Sequence, residues 1–319
     1  MVRVGADISD LVSGLKQATS QISGFSKQAA AGFSAVGDVG KAVTAAGAGL
    51  ALGLGAAVKK AADFDTAMRK AGAIAGANKT QFNDMRQAAL DLGANTSKSA
   101  TEVANAMTDM AAKGFSAKQV IAAMPGVISA AEASGEDLAL TADTVASALN
   151  GFGLKASDAS HVADVLAMSA NKSAAGVEDM QYAFKYSAPI ARQLGVSLEE
   201  LASATGIMAD AGIKGEQAGT TLRGGLTQLL NPSEKTSKLM ETLGVKVTDA
   251  NGKFVGLSGV IKNLNSSMRG MTDAQKVATL SQIVGTEAAS GFLTLMQAGP
   301  AKIDAMTKSL ENSTGASKK

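Results

Sequence analysis

Apolar positions recur along the chain with the spacing of helices. Ile8, Leu11, Val12, Leu15, Ile22 and Phe25 fall at near-helical intervals. Val103, Met107, Met110 and Ala111 share one helix face, as do Leu198, Leu201, Met208 and Ala209. Ser99/Glu102, Ser116/Gln119, Ser197/Glu200 and Thr272/Gln275 fit the capping box, in which a hydroxyl and a later Glu or Gln satisfy orphan amides at a helix start. Pro125 and Pro189 predict first turns or kinks. Near residues 245–255 the period changes to two around Asn251-Gly252, a hairpin signal. Leu257, Val260, Ile261 and Leu264 then return to helical spacing, and one helix is expected from about Asp273 to Met296. The predicted fold is mainly α, an irregular bundle of short helices and helical hairpins with one small β-hairpin near 245–255.

The chain divides into an amphipathic segment, 1–41 (opening on the alternating Val2–Asp7), an Ala/Gly-rich apolar segment, 42–60, a helical core, 61–300, and a polar tail, 301–319, whose end from Asn312 to Lys319 is expected to fray. The start carries no signal-peptide pattern. Residues 42–58 hold no charge and contain Gly49-Leu-Ala-Leu-Gly53, a spacing that lets helices approach closely in a membrane. The segment sits at the lower edge of a spanning length, so a packed small-residue helix, a connector and a membrane-inserting helix all stay open. An internal echo joins Met110…Gly114-Phe115…Gln119 to Met208…Gly212-Ile213…Gln217, with a partial copy at Gly153-Leu154. The interval from Gly114 to Gly153 is much shorter than that from Gly153 to Gly212, which predicts duplicated hairpins and not a regular solenoid.

Composition removes most chemistry. The absence of Cys excludes disulfides and thiolate sites, and His161 is the one histidine. An aromatic fraction of 3% and a net charge of +2 argue against base-stacking and nucleic-acid surfaces, although residues 1–60 carry six basic residues against three acidic. Gly47–Gly53 lacks a preceding strand and Gly40-Lys41 lacks the first glycine of a phosphate loop. Asp63/Asp65 and Glu199/Glu200 are carboxylate pairs with no supporting ligands, and His161 is expected to pair locally with Asp158 and Asp164. The fourteen Met residues read as adaptable core filling. No catalytic, cofactor-binding or metal-binding residue is assigned, and the chain reads as a non-enzyme.

Several stretches resemble the core region of phage tail tape measure proteins of the TP901 type. They are Ala62-Asp63-Phe64-Asp65-Thr66-Ala67-Met68, Ala89-Leu90-Asp91-Leu92-Gly93, Met110-Ala-Ala-Lys-Gly114-Phe115, Ala163-Asp164-Val165-Leu166, Tyr186-Ser-Ala-Pro189-Ile-Ala191, Ala209-Asp210-Ala-Gly212-Ile213-Lys-Gly215…Ala218-Gly219-Thr-Thr-Leu222-Arg223, and Leu243-Gly244-Val245…Gly252. The resemblance runs over roughly residues 60–300, and Met208–Arg223 is its most specific block. Gly212, Gly215 and Gly219 suit tight helix junctions there, and Arg223 reads as a structural or interface cation.

The resemblance implies a tail component of a phage, prophage or tail-like particle. Such a protein occupies the tail lumen, sets tail length while tube subunits polymerise around it, and leaves ahead of DNA at infection. Implied partners are the tail tube protein, tail assembly chaperones and baseplate or tail-tip proteins. Implied locations are the virion tail, the host cytoplasm during assembly and, through 42–58, the host inner membrane. A membrane-inserting protein acting during DNA ejection is the alternative, and a cell-wall hydrolase is a third reading without a supporting motif. A wholly helical chain of 319 residues would reach about 480 Å at 1.5 Å per residue. The Gly and Pro signals break it into short helices, so a truncated tape measure or a short protein holding only the core is expected.

Overall fold

The computed structural model describes residues 57–318. The segments 1–41 and most of 42–58 lie outside the described residues. Fourteen helices are described: α1 (57–74), α2 (Lys79–Asn95), α3 (Ala100–Ala112), α4 (Ala117–Ser134), α5 (Leu138–Phe152), α6 (Ala159–Lys172), α7 (Val177–Leu194), α8 (Leu198–Asp210), α9 (Gly215–Leu230), α10 (Glu234–Leu243), α11 (Gly256–Ser267), α12 (Asp273–Ile283), α13 (Thr286–Ala298) and α14 (Pro300–Glu311).

Local chemistry explains most of the boundaries. Ser99 and Glu102 exchange hydrogen bonds with each other's backbone at the start of α3, and Thr272 and Gln275 do the same at α12. At the far ends, Gly195 at φ +74 turns the chain back so that Val196 N donates to Ala191 O. That bond satisfies a carbonyl the helix leaves orphaned, and buried Val196 fills the space beneath it. The same closure joins Phe115 to Met110, Leu154 to Leu149, Ile213 to Met208 and Val245 to Met240. Pro125 and Pro189 sit inside α4 and α7, not in first turns, and both face solvent.

From α3 to α9 each helix except α8, which packs most extensively on α14, packs most extensively on its second neighbour. The contacts run α3–α5–α7–α9 in one layer and α4–α6–α8 in the other, with α2 leaning on α3 and α4. In the first layer the helices begin at Ala100, Leu138, Val177 and Gly215, three nearly equal steps along the chain. Such a step is the period of a stacked helix pair, so an ordered stack replaces the irregular bundle of hairpins. Polar ties recur at a similar interval, as Ser97 N to Glu132 Oε1, Asn150 Nδ2 to Lys113 O, and Ala174 N to Asp210 Oδ1.

The remaining helices return along the second layer. α13 packs on α9 and α8, α14 on α8 and α6, and the last described residues on α6 and α4. This strap is why α8 is buried on all sides from Leu201 to Ala209. Glycines cut its seats. A Cβ at Gly225 would collide with the Phe292 ring, one at Gly291 with Thr221 Cγ2, and one at Gly206 with Met306 Cε.

Three expectations are corrected. The described residues contain no strand, and the hairpin near 245–255 is one antiparallel bridge, Thr248 with Phe254. The Asp249 carboxylate accepts from Asn251 N and Lys253 N and closes a longer turn, while α10 and α11 leave only a few residues for each arm. The helix expected over 273–296 is broken at Gly285, φ +88, into α12 and α13. The polar end is docked, not frayed, with Ser313, Ala316 and Ser317 buried.

Candidate interaction surface

The most extensive helix seam lies between α7 and α9. A Cβ at Gly219 would stand 2.8 Å from the carbonyl oxygen of Tyr182 and 3.0 Å from Ala183 Cα, so only glycine lets the backbones approach this far. Tyr182 and Tyr186, the chain's two tyrosines, lie along that seam. Tyr186 Oη donates to Glu216 Oε1 at 2.8 Å, and this bond pushes the phenol above its ordinary pKa. The Arg223 guanidinium stands 5.6 Å from the Tyr186 ring centroid, and Lys185 Nζ is 5.5 Å from it. Arg223 is exposed and Tyr186 half-buried.

The same face continues as a polar ladder. Gln181 Nε2 donates to Asp143 Oδ2 at 2.6 Å, and Lys113 Nζ pairs with Asp143 Oδ1 at 2.7 Å. Burial, and then the Asp143 charge, push the Asp109 carboxyl upward. An aromatic ring flanked by cations beside satisfied polar side chains is the composition of a recognition surface. None of these groups is arranged as a nucleophile with a base.

The other sequence candidates serve the fold. Asp65 is buried and pairs with Arg69, whereas Asp63 is exposed and lies 3.6 Å from Lys59. His161 Nε2 shares its hydrogen bond with Glu199 Oε1, not with Asp158 or Asp164 as expected from helix spacing. Burial acts to raise the Glu199 pKa, and the His161 bond, together with hydrogen bonds from the Glu199 amide and Ser197 and the His161 charge, outweighs it and holds the group low. Glu200 leaves its own capping box and accepts from Leu257 N and Ser258 N, capping α11. Asp158 accepts from Lys155 N. Asp164 accepts from Gly315 N, Ser317 N and Ser317 Oγ, which pins the strap. The sequence offered no signal for these long-range roles, because donor and acceptor lie up to 153 residues apart.

Among the described residues, no group of three His, Cys, Asp or Glu is placed to hold a metal ion. No described helix is long and apolar enough to cross a membrane, and the Gly49/Gly53 spacing lies outside the described residues. Nothing in the described structure therefore supports the membrane-inserting alternative.

The family model of phage-related minor tail proteins matches residues 86–285, which takes in α3 to α12 and the whole two-layered stack. The chain belongs to that family. This minor tail protein is 42% identical over 98% of its length to a protein named "Tape measure protein" from Pneumococcus phage Dp-1, of which it covers 28%. It is 31% identical over 91% of its length to a "Probable tape measure protein" of Escherichia phage P2, covering 36% of that chain. The minor tail protein thus spans about a third of the length of these relatives. No solved structure matches it.

Proposed function

We propose that this protein acts as a phage or prophage tail tape measure protein, or as the assembly core of one. The observation that carries this reading is the 42% identity to a named tape measure protein, maintained across 98% of the chain. Its role is structural: it lies in the tail tube lumen, helps set tail length and assists genome delivery. Family membership and a candidate surface without a nucleophile–base pair favour this reading over catalysis. The described helices are short, and they stack side by side instead of joining end to end. In this form the chain is a body that tail components recognise, and extended ruling belongs to another chain or another conformation.

Its partners are the tail tube protein, tail assembly chaperones and baseplate or tail-tip proteins. It works in the host cytoplasm during assembly and in the virion tail afterwards. The Tyr186–Arg223 seam is the surface we assign to such a contact.

The test is complementation of a phage lacking its tape gene with a gene carrying Tyr186→Ala and Arg223→Glu. Tails counted by electron microscopy should fall about tenfold, while the purified variant keeps its helical circular dichroism. Normal tail numbers would remove the seam from the contact. Failure of the unmodified chain to co-purify with any tail protein would overturn the tape measure reading itself.

A further inference from the structure

We infer that α14 and residues 313–317 form a reversible latch that opens before the α3–α9 stack. The contrast in burial is the first support. α14 buries two of its twelve residues, Ile303 and Leu310, whereas α8 beneath it buries ten of thirteen. Local opening starts where few apolar side chains hold a segment. α14's polar ties are correspondingly loose. Lys302 lies 3.6 Å from Asp210, Ser258 Oγ is 3.4 Å from Pro300 O, and Thr307 Oγ1 meets Ser203 Oγ at 3.1 Å.

The segment is then fastened at its far end. Asp164, 6% exposed, gathers three donors from two residues: Gly315 N at 2.8 Å, Ser317 N at 2.9 Å and Ser317 Oγ at 2.6 Å. Hydrogen bonds to a buried carboxylate are short and strong, and they hold only while all partners stay in place. Ser313 Oγ, buried in the same turn, has no hydrogen-bond partner among the described residues, a cost that opening relieves.

The bed is suited to exposure. Under α14 lie Ser203 and Gly206, with Ser173 Oγ beside the same Gly206 position. Small and polar groups of this kind meet water with little penalty. The latch therefore opens as a unit and uncovers a strip of α8 and α6 without unfolding either.

Hydrogen exchange read by mass spectrometry on the purified chain tests this. Amides of 303–317 should exchange about tenfold faster than those of α8, and Asp164→Asn should accelerate them further while they stay faster than α8. Exchange of the strap in step with α8, or no acceleration of 303–317 by Asp164→Asn, would overturn the latch. Should Asp164→Asn fail to fold, a lock decides the matter. The chain has no cysteine, so Ser203→Cys with Thr307→Cys supplies a single disulfide across hydroxyl positions 3.1 Å apart. Oxidation should slow 303–317 to the rate of α8 and reduction should restore it. A strap that exchanges fast while locked would sink the proposal.

Discussion

Two adjacent glycines in α9 show how much one hydrogen atom decides in this fold. A Cβ at Gly225 would overlap Phe292 Cε2, while one at Gly224 would meet nothing within 4 Å. Gly225→Ala should therefore destabilise by about 1–3 kcal/mol through overpacking of the strap. Gly224→Ala should stabilise by about 0.5–1 kcal/mol, since it lowers the entropy cost of helix formation at an open position. Urea unfolding of the two variants measures both signs, and equal shifts would contradict the seat at Gly225. The Tyr186–Arg223 pair is governed at the same scale. Gly219 brings the helices together, and the cation then finds the ring.

At the scale of the element, Glu200 shows a carboxylate serving a helix 57 residues away. Burial holds its pKa above the ordinary value of 4.5, against the pull of the Leu257 and Ser258 amides. A raised folded-state pKa means its charged form adds strain as pH rises, so removing the charge alone should be mild. Glu200→Gln should cost well under about 1 kcal/mol at pH 7, whereas Glu200→Ala, which leaves two amides of α11 without an acceptor, should cost about 1–2 kcal/mol. Thermal unfolding of the pair provides the comparison. Capping chemistry that is local in sequence was legible, as at Ser99 and Thr272. Chemistry that Glu200 or Asp164 makes across the fold was not.

The repeat was hidden for a related reason. The residues before α3, α5, α7 and α9 are Ser99, Asp137, Gly176 and Lys214, four different residues in one structural position. The glycine echo was real but out of phase. Gly114 and Gly153 end helices of the same layer, whereas Gly212 follows a helix of the other. The hairpin signal at Asn251-Gly252 failed because α10 and α11 press in on both sides and Asp249 closes the turn itself. The Met208–Arg223 block stood out because Gly219 packs against the α7 backbone and Gly212 and Gly215 take positive φ, where few other residues fit. Its contacts with Tyr182 and Tyr186 needed the fold to appear.

For the whole molecule, acid should act through the strap. Asp164 is held below its ordinary value of 3.8: burial works against this, and the Ser317 and Gly315 bonds, with His161 nearby, outweigh it. Its stabilising contribution is thus complete above about pH 4 and is lost as pH falls through the depressed folded value. Glu102, Glu132 and Glu199 are lowered too and add to the same loss, while Glu200, raised, titrates earlier and in the opposite sense. The difference in unfolding free energy between the unmodified chain and Asp164→Asn should be about 2 kcal/mol at pH 7 and shrink toward zero as pH falls through the depressed folded value. A difference that stays constant across that range would show that the clasp does not depend on the carboxylate's charge.

The return of the strap also sets how the fold meets mechanical tension. α2 leans on α4, and the last described residues lean on α4 as well. α2 and the last described residues are thus anchored at one end of the stack, with α9 at the far turn of the loop. A force applied between residues 79 and 317 would first load α2, α4, α6 and the Asp164 clasp, and would reach α9 only after these had yielded. Threaded into a longer polypeptide under tension, the domain would hang from the line as a side loop, giving up its slack from the anchored end.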